Sequence, residues 1–173
     1  VVRMPAFGLE LTVRQRTLLA ALYPVLLLVI LNPLLEVVAN NWPLEADNPR
    51  WRVGFLGAML AGALPILTGL ALTALLAGLM GHGIALRLVA VGALARVAGR
   101  VMGGMLFGLD ALQVRRMVRV DAKATFDAAS FKTLVMTAVM VIVSGWLGVR
   151  AWVASRGAQG RRGEGKAGLV VGQ

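Results

Sequence analysis

The chain has no cysteine among its 173 residues, and this absence excludes disulfides, thiolate metal sites and cysteine nucleophiles. Histidine occurs once, at His82, so one copy of the chain cannot form a site that needs several histidine ligands. Charged residues make up only 15% of the chain, against roughly 25% in soluble proteins. Apolar residues make up 58%, and the mean hydropathy is +0.79. This composition excludes an ordinary soluble domain, which could not bury so much apolar surface.

Three long stretches contain no charged residue: 17–35, 53–86 and 133–149. A bilayer core is about 30 Å thick, and about 20 apolar helical residues cross it. Helices of soluble proteins carry a polar face that recurs every 3.6 residues, and these stretches lack one. The sequence therefore predicts an all-α, polytopic membrane helix bundle, with spans at about 17–38, 53–80 and 131–152.

The first span follows two basic residues, Arg14 and Arg16, and precedes the small-residue sequence of 37–39. A signal peptide has the same order of features, and it is the alternative interpretation of this segment. The second span has more residues than a crossing needs, so it is tilted, kinked at Pro65 or protrudes. Its small residues at steps of three and four predict close helix packing, chiefly at Gly57, Gly62 and Gly69.

Residues 84–110 are apolar but contain three arginines. Each arginine near the bilayer centre costs about 2.5–3.5 kcal/mol on insertion scales, so an isolated helix of this composition gains little by crossing. On a helix of 3.6 residues per turn, the polar and small residues share one face. That face comprises Gly92, Arg96, Gly99, Arg100, Gly103 and Asp110. The pattern suits a crossing helix or an amphipathic helix in the headgroup layer. We favour the crossing, which gives four transmembrane helices.

Arg96, Arg100 and Asp110 are the candidate clamp, a set of side chains that holds this helix to another helix, a subunit or a lipid. The anions considered as partners for the two arginines are Asp110, Glu36, a lipid headgroup or a carboxylate of another subunit. Gly99 and Gly103 are predicted to pack beside the clamp. The alternative is that the arginines line an ion or substrate pathway, which usually also has acidic groups within the membrane.

Tryptophans mark the expected membrane surfaces. Trp42 and Trp51 lie at the two ends of the loop 39–52, in which Pro43 and Pro49 prevent a continuous helix. Trp146 and Trp152 lie towards the end of the last span. All four are predicted interfacial anchors, because tryptophan is enriched at membrane–water boundaries.

His82 lies in a tight predicted connection, Gly81-His82-Gly83. It is interpreted as a solvated turn residue, with the ligand of a pigment or haem metal as the alternative. No other cofactor is expected, apart from bound lipids.

The net charge of +10 lies mainly at helix ends, on one helix face and in the C-terminal segment. Residues 1–153 form the predicted transmembrane domain, and residues 154–173 form a basic, glycine-rich tail. Such a tail beside a membrane favours anionic lipids. No aromatic residue interleaves with its basic residues, so nucleic-acid binding is not expected.

A short motif stands at the start of the second span: Pro43-Leu44, followed by Asn48-Pro49-x-Trp51-Arg52 and a glycine-rich helix. This motif resembles four-span bacterial membrane proteins of the type associated with polysaccharide secretion in cyanobacteria. The resemblance implies a four-helix membrane fold and a role near export. It carries over no functional residues.

The sequence contains no phosphate-binding loop, dinucleotide fingerprint, HExxH or GxSxG motif, and no paired carboxylates for acid–base chemistry. It therefore predicts a protein that is not an enzyme. The expected function is an accessory subunit of a larger complex in the bacterial inner membrane, respiratory or photosynthetic. The alternatives are a transporter or export component for polysaccharide or lipid, and a pigment- or haem-binding protein.

Overall fold

The computed structural model describes residues 2–4 and 9–167, with side-chain environments for residues 12–157. The described part is almost entirely helical. A short antiparallel hairpin, which the sequence did not predict, pairs β1 (Val2–Met4) with β2 (Leu9–Leu11). Six helices follow: α1 (Val13–Ala20), α2 (Leu22–Asn40), α3 (Pro49–Ala61), α4 (Ala63–Met80), α5 (Gly83–Arg115) and α6 (Lys123–Ala167). One 3-10 turn, at Val120–Ala122, lies directly before α6.

Three helical segments of the described residues are long and apolar enough to cross a membrane: Val13–Asn40, Pro49–Met80 and Val120–Gly157. They contain the three predicted spans. The helix predicted at 84–110 is also present, as α5, and its 33 residues are long enough to cross. The all-α membrane-type bundle is thus confirmed, with three spans defined by length and composition.

Prolines break two of the crossing segments. The helix axis is interrupted at Ala21, three residues before Pro24, and again at Gly62, three residues before Pro65. Proline has no N–H group, so it cannot donate to the carbonyl four residues earlier, and its ring clashes with that turn. The second span is therefore interrupted at Gly62, close to the proline at which a kink was one of the three alternatives; tilt and protrusion stay predictions.

Two local features determine how the chain enters and leaves the helical pair α3–α4. The Asn48 side chain accepts hydrogen bonds from the backbone N–H groups of Arg50 at 3.0 Å and Trp51 at 3.4 Å, with Pro49 in the first turn. Gly81 ends α4 in the left-handed conformation, with φ of 67°, which a residue with a side chain rarely adopts. The Asn48 cap determines where α3 begins after the loop, and Gly81 forms the tight turn from α4 into α5.

The cap at Asn48 leads to a prediction about stability. Asn48→Ala should lower the free energy of unfolding by about 1 kcal/mol, because two N–H groups at the start of α3 lose their acceptor. Asn48→Asp keeps an acceptor oxygen and should retain most of the stability. Denaturant titration in detergent, followed by circular dichroism, measures both. Equal losses in the two variants would show that the cap does not stabilise α3.

The core is formed mainly around α5. Val89, Ala90 and Ala93 on α5 pack with Leu70 on α4 and Ala151 on α6. A second cluster joins Leu60 on α3 to Phe107 and Ala111 on α5. Because α5 contacts α3, α4 and α6, it is the central helix of the bundle, although it is the least apolar of the predicted spans.

The boundary predicted between a transmembrane domain and a tail does not coincide with the end of a helix. α6 continues through residue 154 to Ala167, whereas the tail was not expected to form structure of its own. A helix that is already nucleated adds residues at little cost, which accounts for this extension. Residues 168–173 of the predicted tail lie outside the described residues.

Candidate functional site

The two central arginines of α5 contact the break between α3 and α4. Arg100 Nη2 donates to the carbonyl oxygen of Leu60 at 3.0 Å, and Arg96 Nη2 donates to the carbonyl oxygen of Ala63. Leu60 lies in the last turn of α3, where carbonyl groups lose their intrahelical donors. The two arginines therefore hydrogen-bond to backbone oxygens beside the helix break, and these bonds join α5 to α3 and α4. The role of Arg96, Arg100 and Asp110 as a clamp to a subunit or a lipid stays a prediction.

Within the part of the chain whose side chains are described, neither arginine has a carboxylate partner. Ion pairs seen there include Arg52–Asp110, Arg115–Asp127 and Arg119–Asp121, and none of these three involves Arg96 or Arg100. Arg96 Nε and Arg100 Nη1 are buried and have no hydrogen-bond partner. The two guanidinium groups thus retain unused donors within the bundle.

Arg96 and Arg100 are among the residues that line a cavity of about 370 Å³ between α2, α3, α4 and α5. The face of α5 predicted from helical periodicity forms one wall, through Gly92, Arg96, Gly99, Arg100 and Gly103. The glycines lack side chains and leave the space open. The other walls are aliphatic side chains and Met59, so the cavity combines an apolar lining with two cationic groups.

Asp110 does not pair with Arg96 or Arg100, which corrects one of the partners considered from sequence. Its two oxygens accept hydrogen bonds from Arg52 Nε and Nη2, both at 2.9 Å. Arg52 also donates to the carbonyl oxygen of Ala46 at 2.9 Å. Arg52 therefore ties α3, α5 and the loop 41–48 together at one end of the bundle.

Glu36 is not a partner of the arginines either. It is exposed on α2, and so is Asn32 one turn earlier. Together with Asn40 they line a second cavity, of about 900 Å³, opposite small residues at Ala58, Ala61 and Gly62. Among the described residues, neither Asn32 nor Glu36 has a hydrogen-bond partner. We call this space the α2 groove.

The glycines predicted to mediate helix packing differ in their surroundings. A Cβ atom at Gly69 would lie 2.6 Å from Ile30 Cγ1, and one at Gly57 would lie 3.5 Å from Phe107 Cε2, so both are at helix contacts. A Cβ atom at Gly103 would be in ordinary van der Waals contact with Leu60 Cδ2 at 3.9 Å, and Gly62 forms the helix break. Contrary to the prediction, a Cβ atom at Gly99 would meet no atom within 4 Å, because Gly99 faces the cavity.

Two tight glycine contacts were missed. A Cβ atom at Gly104 would lie 3.2 Å from Thr137 Cγ2, and one at Gly148 would lie 3.1 Å from Leu94 Cγ. Both are in the interface between α5 and α6. The GxxxG pattern from Gly104 to Gly108 was visible, but it did not distinguish contacting glycines from open ones.

The predicted tryptophan anchors have distinct environments. Trp42 and Trp146 are largely exposed, and the Arg150 guanidinium group lies over the Trp146 ring. Trp152 is covered in the same way by Arg156. Trp51 is half-buried; it stacks on Phe55 and donates from Nε1 to the carbonyl oxygen of Asn41 at 3.2 Å. Anchoring of all four at a membrane surface stays a prediction.

His82 is half-buried rather than fully solvated. Its Nδ1 atom lies 3.0 Å from the Tyr23 hydroxyl oxygen, and the two rings stack. This contact joins α2 to the turn between α4 and α5. Tyr23 was missed from sequence, since nothing in its local pattern indicates a partner 59 residues away. Ligation of a pigment or haem by His82 stays a prediction, as does the binding of lipids.

Among the residues with described side chains, no group of three or more potential metal ligands is present. Comparison of the chain with protein-family models, curated proteins and solved structures gave no match.

Proposed function

We propose that this protein is a non-enzymatic accessory subunit of a larger complex in the bacterial inner membrane. The α2 groove is the observation that carries the proposal. A transmembrane helix of another subunit would occupy it, bringing a hydrogen-bond donor or a cationic side chain opposite Asn32 and Glu36. Polar groups in hydrocarbon are costly unless another protein group satisfies them, so a partner helix supplies what this chain lacks.

The weak attachment of the first span supports the same proposal. The apolar window of Val13–Asn40 has no buried residue, whereas 28% of the window of Pro49–Met80 is buried. α2 packs mainly against α4. Small residues on the far wall of the groove allow close approach of another helix. The first span is therefore available to bridge this chain and a neighbour.

A fourth crossing, by α5, is part of the proposal. Gly104 contacts Thr137 and Gly148 contacts Leu94, so α5 and α6 run antiparallel beside each other over much of their lengths. A membrane that contains α6 would then contain α5. The backbone oxygens of Leu60 and Ala63 lessen the cost of the two arginines in that position.

Energy-transducing assemblies, respiratory or photosynthetic, are the class of complex that we propose. Such assemblies accommodate extra helices that hold subunits, pigments or lipids in place. We also propose that the basic C-terminal tail, residues 154–173, binds anionic lipids.

Photocrosslinking in native membranes tests the groove. A photoreactive amino acid at Leu28, which lines the groove, should yield one discrete adduct with an integral membrane protein. The same residue at Ile142, an exposed position on α6, is the control and should yield mainly lipid adducts. Glu36→Leu should reduce the protein adduct at Leu28 about tenfold, since one charge-assisted hydrogen bond is worth at least 1.4 kcal/mol.

Three outcomes would contradict the proposal. These are lipid adducts alone at Leu28, an adduct between two copies of this chain, or equal protein adducts at Leu28 and Ile142. Mass spectrometry of the purified adduct distinguishes all of them from a partner subunit.

An export component for lipid or polysaccharide is the second candidate function. The cavity beside Arg96 and Arg100 favours it, because that hypothesis requires the two arginines to line an open space. The aliphatic lining suits a lipid better than a polysaccharide. A change in exported lipid or polysaccharide on deletion of the chain, without loss of any membrane complex, would favour this candidate over the first.

A further inference from the structure

The cavity beside Arg96 and Arg100 has the properties of a ligand site. Its volume of about 370 Å³ lies within the range of known small-molecule pockets, roughly 300–1,000 Å³. Four helices line it and leave it partly open, and its lining is aliphatic except for Met59, three glycines and the two arginines. The aliphatic residues are Ile30, Leu34, Leu56, Leu60, Ile66 and Leu70.

The arginines point to an anionic group in that cavity. Arg100 is only 6% exposed, and its Nη1 atom is buried without a partner. Arg96 Nε is likewise buried and unpartnered. Guanidinium groups remain charged in proteins, and a buried donor without an acceptor is costly. Arg96 and Arg100 are also four residues apart on one helix, where like charges repel.

We propose that this cavity binds a single-chain fatty acid anion, with its carboxylate on Arg96 and Arg100 and its acyl chain along the aliphatic walls. A carboxylate accepts several hydrogen bonds from guanidinium groups and balances their charge. Without the ligand, both arginines are held in place by hydrogen bonds to the backbone. Arg100 Nη2 donates to the Leu60 carbonyl oxygen and Arg96 Nη2 donates to that of Ala63.

The depth of the arginines favours a fatty acid over a phospholipid. Both lie about 20 Å or more from either end of α5, at 1.5 Å per residue. The phosphate of a bilayer phospholipid stays at the membrane surface, whereas a single-chain acid can enter between helices. The site is separate from the α2 groove, because Ile30 and Leu34 face the cavity while Asn32 and Glu36 face the groove. It rests on the proposed crossing of the membrane by α5, and it does not rest on the proposed partner subunit.

Equilibrium binding of radiolabelled oleate to the purified full chain in neutral detergent tests the proposal. Oleate should bind saturably, at about one molecule per chain. Unlabelled oleyl alcohol has the same chain length and no charge, and it should compete at least tenfold less well than unlabelled oleate. Phosphatidylglycerol should also compete at least tenfold less well than oleate.

Two pairs of variants locate the site. Gly99→Leu directs a side chain into the cavity and leaves both arginines unchanged, and it should abolish oleate binding. Gly99→Ala adds only a methyl group and should bind within about threefold of the native chain. Arg100→Gln leaves a polar side chain and removes the charge, and it should weaken binding at least tenfold. Arg116→Gln, which changes an exposed arginine, is its control.

Several results would overturn the proposal. Absence of saturable oleate binding would do so, and so would equal competition by oleyl alcohol, which would show that the charge is not recognised. Full binding by Gly99→Leu would place the oleate elsewhere. Competition by phosphatidylglycerol as strong as that by oleate would identify a phospholipid site. Circular dichroism of each variant establishes that it is folded, and loss of fold in Arg100→Gln leaves Gly99→Leu as the decisive variant.

Discussion

Replacement of Gly69 by leucine should detach α2 from α4 and lower the free energy of unfolding by about 1–3 kcal/mol, the usual cost of overpacking. The physical reason is steric, because a Cβ atom at Gly69 would lie 2.6 Å from Ile30 Cγ1 and 3.5 Å from the Leu26 carbonyl oxygen. α2 packs mainly on α4, so this contact is its principal attachment. Thermal unfolding of the detergent-purified chain, followed by circular dichroism, measures the loss.

Gly78→Leu is the matched control for Gly69→Leu. Gly78 lies on the same helix, and a Cβ atom there would meet no atom within 4 Å. Both substitutions gain helix propensity of about 1 kcal/mol, so the difference between the variants isolates the contact with α2. Equal unfolding curves for the two variants would show that the contact between Gly69 and Ile30 does not hold α2 in place.

Replacement of Asp110 by alanine should lower the unfolding temperature by about 2–4 °C, a shift typical of one lost stabilising contact in a chain of this size. The Asp110 side chain is 10% exposed and accepts two hydrogen bonds from Arg52. Removing Asp110 leaves Arg52 Nε and Nη2 without their acceptors, whereas removing both side chains leaves no donor unpaired. The loop 41–48 should loosen as well, because Arg52 also holds Ala46.

Two further variants make the Asp110 prediction specific. Asp127→Ala removes the carboxylate of the exposed pair with Arg115 and should cause no measurable change, as is usual for surface ion pairs. The double variant Arg52→Met, Asp110→Leu replaces the pair with apolar side chains and should recover most of the lost stability. If the double variant unfolds at the temperature of Asp110→Ala or below it, the loss of stability does not come from the unpaired guanidinium group of Arg52.

Local chemistry made much of the fold predictable. Uncharged stretches gave the three apolar spans, since crossing a bilayer imposes a length and a composition. Pro65 indicated an irregularity in the second span, because proline acts through its own backbone neighbours, whereas the start of α3 at Pro49 was not predicted. The polar face of α5 also followed from periodicity, and five of its six predicted residues line one cavity.

Contacts between distant residues were not predictable in the same way. The sequence suggested anions for Arg96 and Arg100, whereas the structure provides the backbone oxygens of Leu60 and Ala63. Carbonyl groups are present at every residue, so no residue type marks the ones that a helix break exposes. Asp110 pairs with Arg52 because the packing of α3 against α5 brings the start of α3 and the C-terminal part of α5 to the same end of the bundle.

The sequence by itself determined that this chain is helical, apolar and suited to a membrane, because these properties depend on composition and on spacing along one helix. Only the tertiary structure decided which glycines contact a helix, which carboxylate meets which arginine and where open space remains. Gly69 and Gly99 are chemically identical, yet one lies against Ile30 and the other borders a cavity. The difference arises from the positions of neighbouring helices, which are set by the packing of the whole bundle.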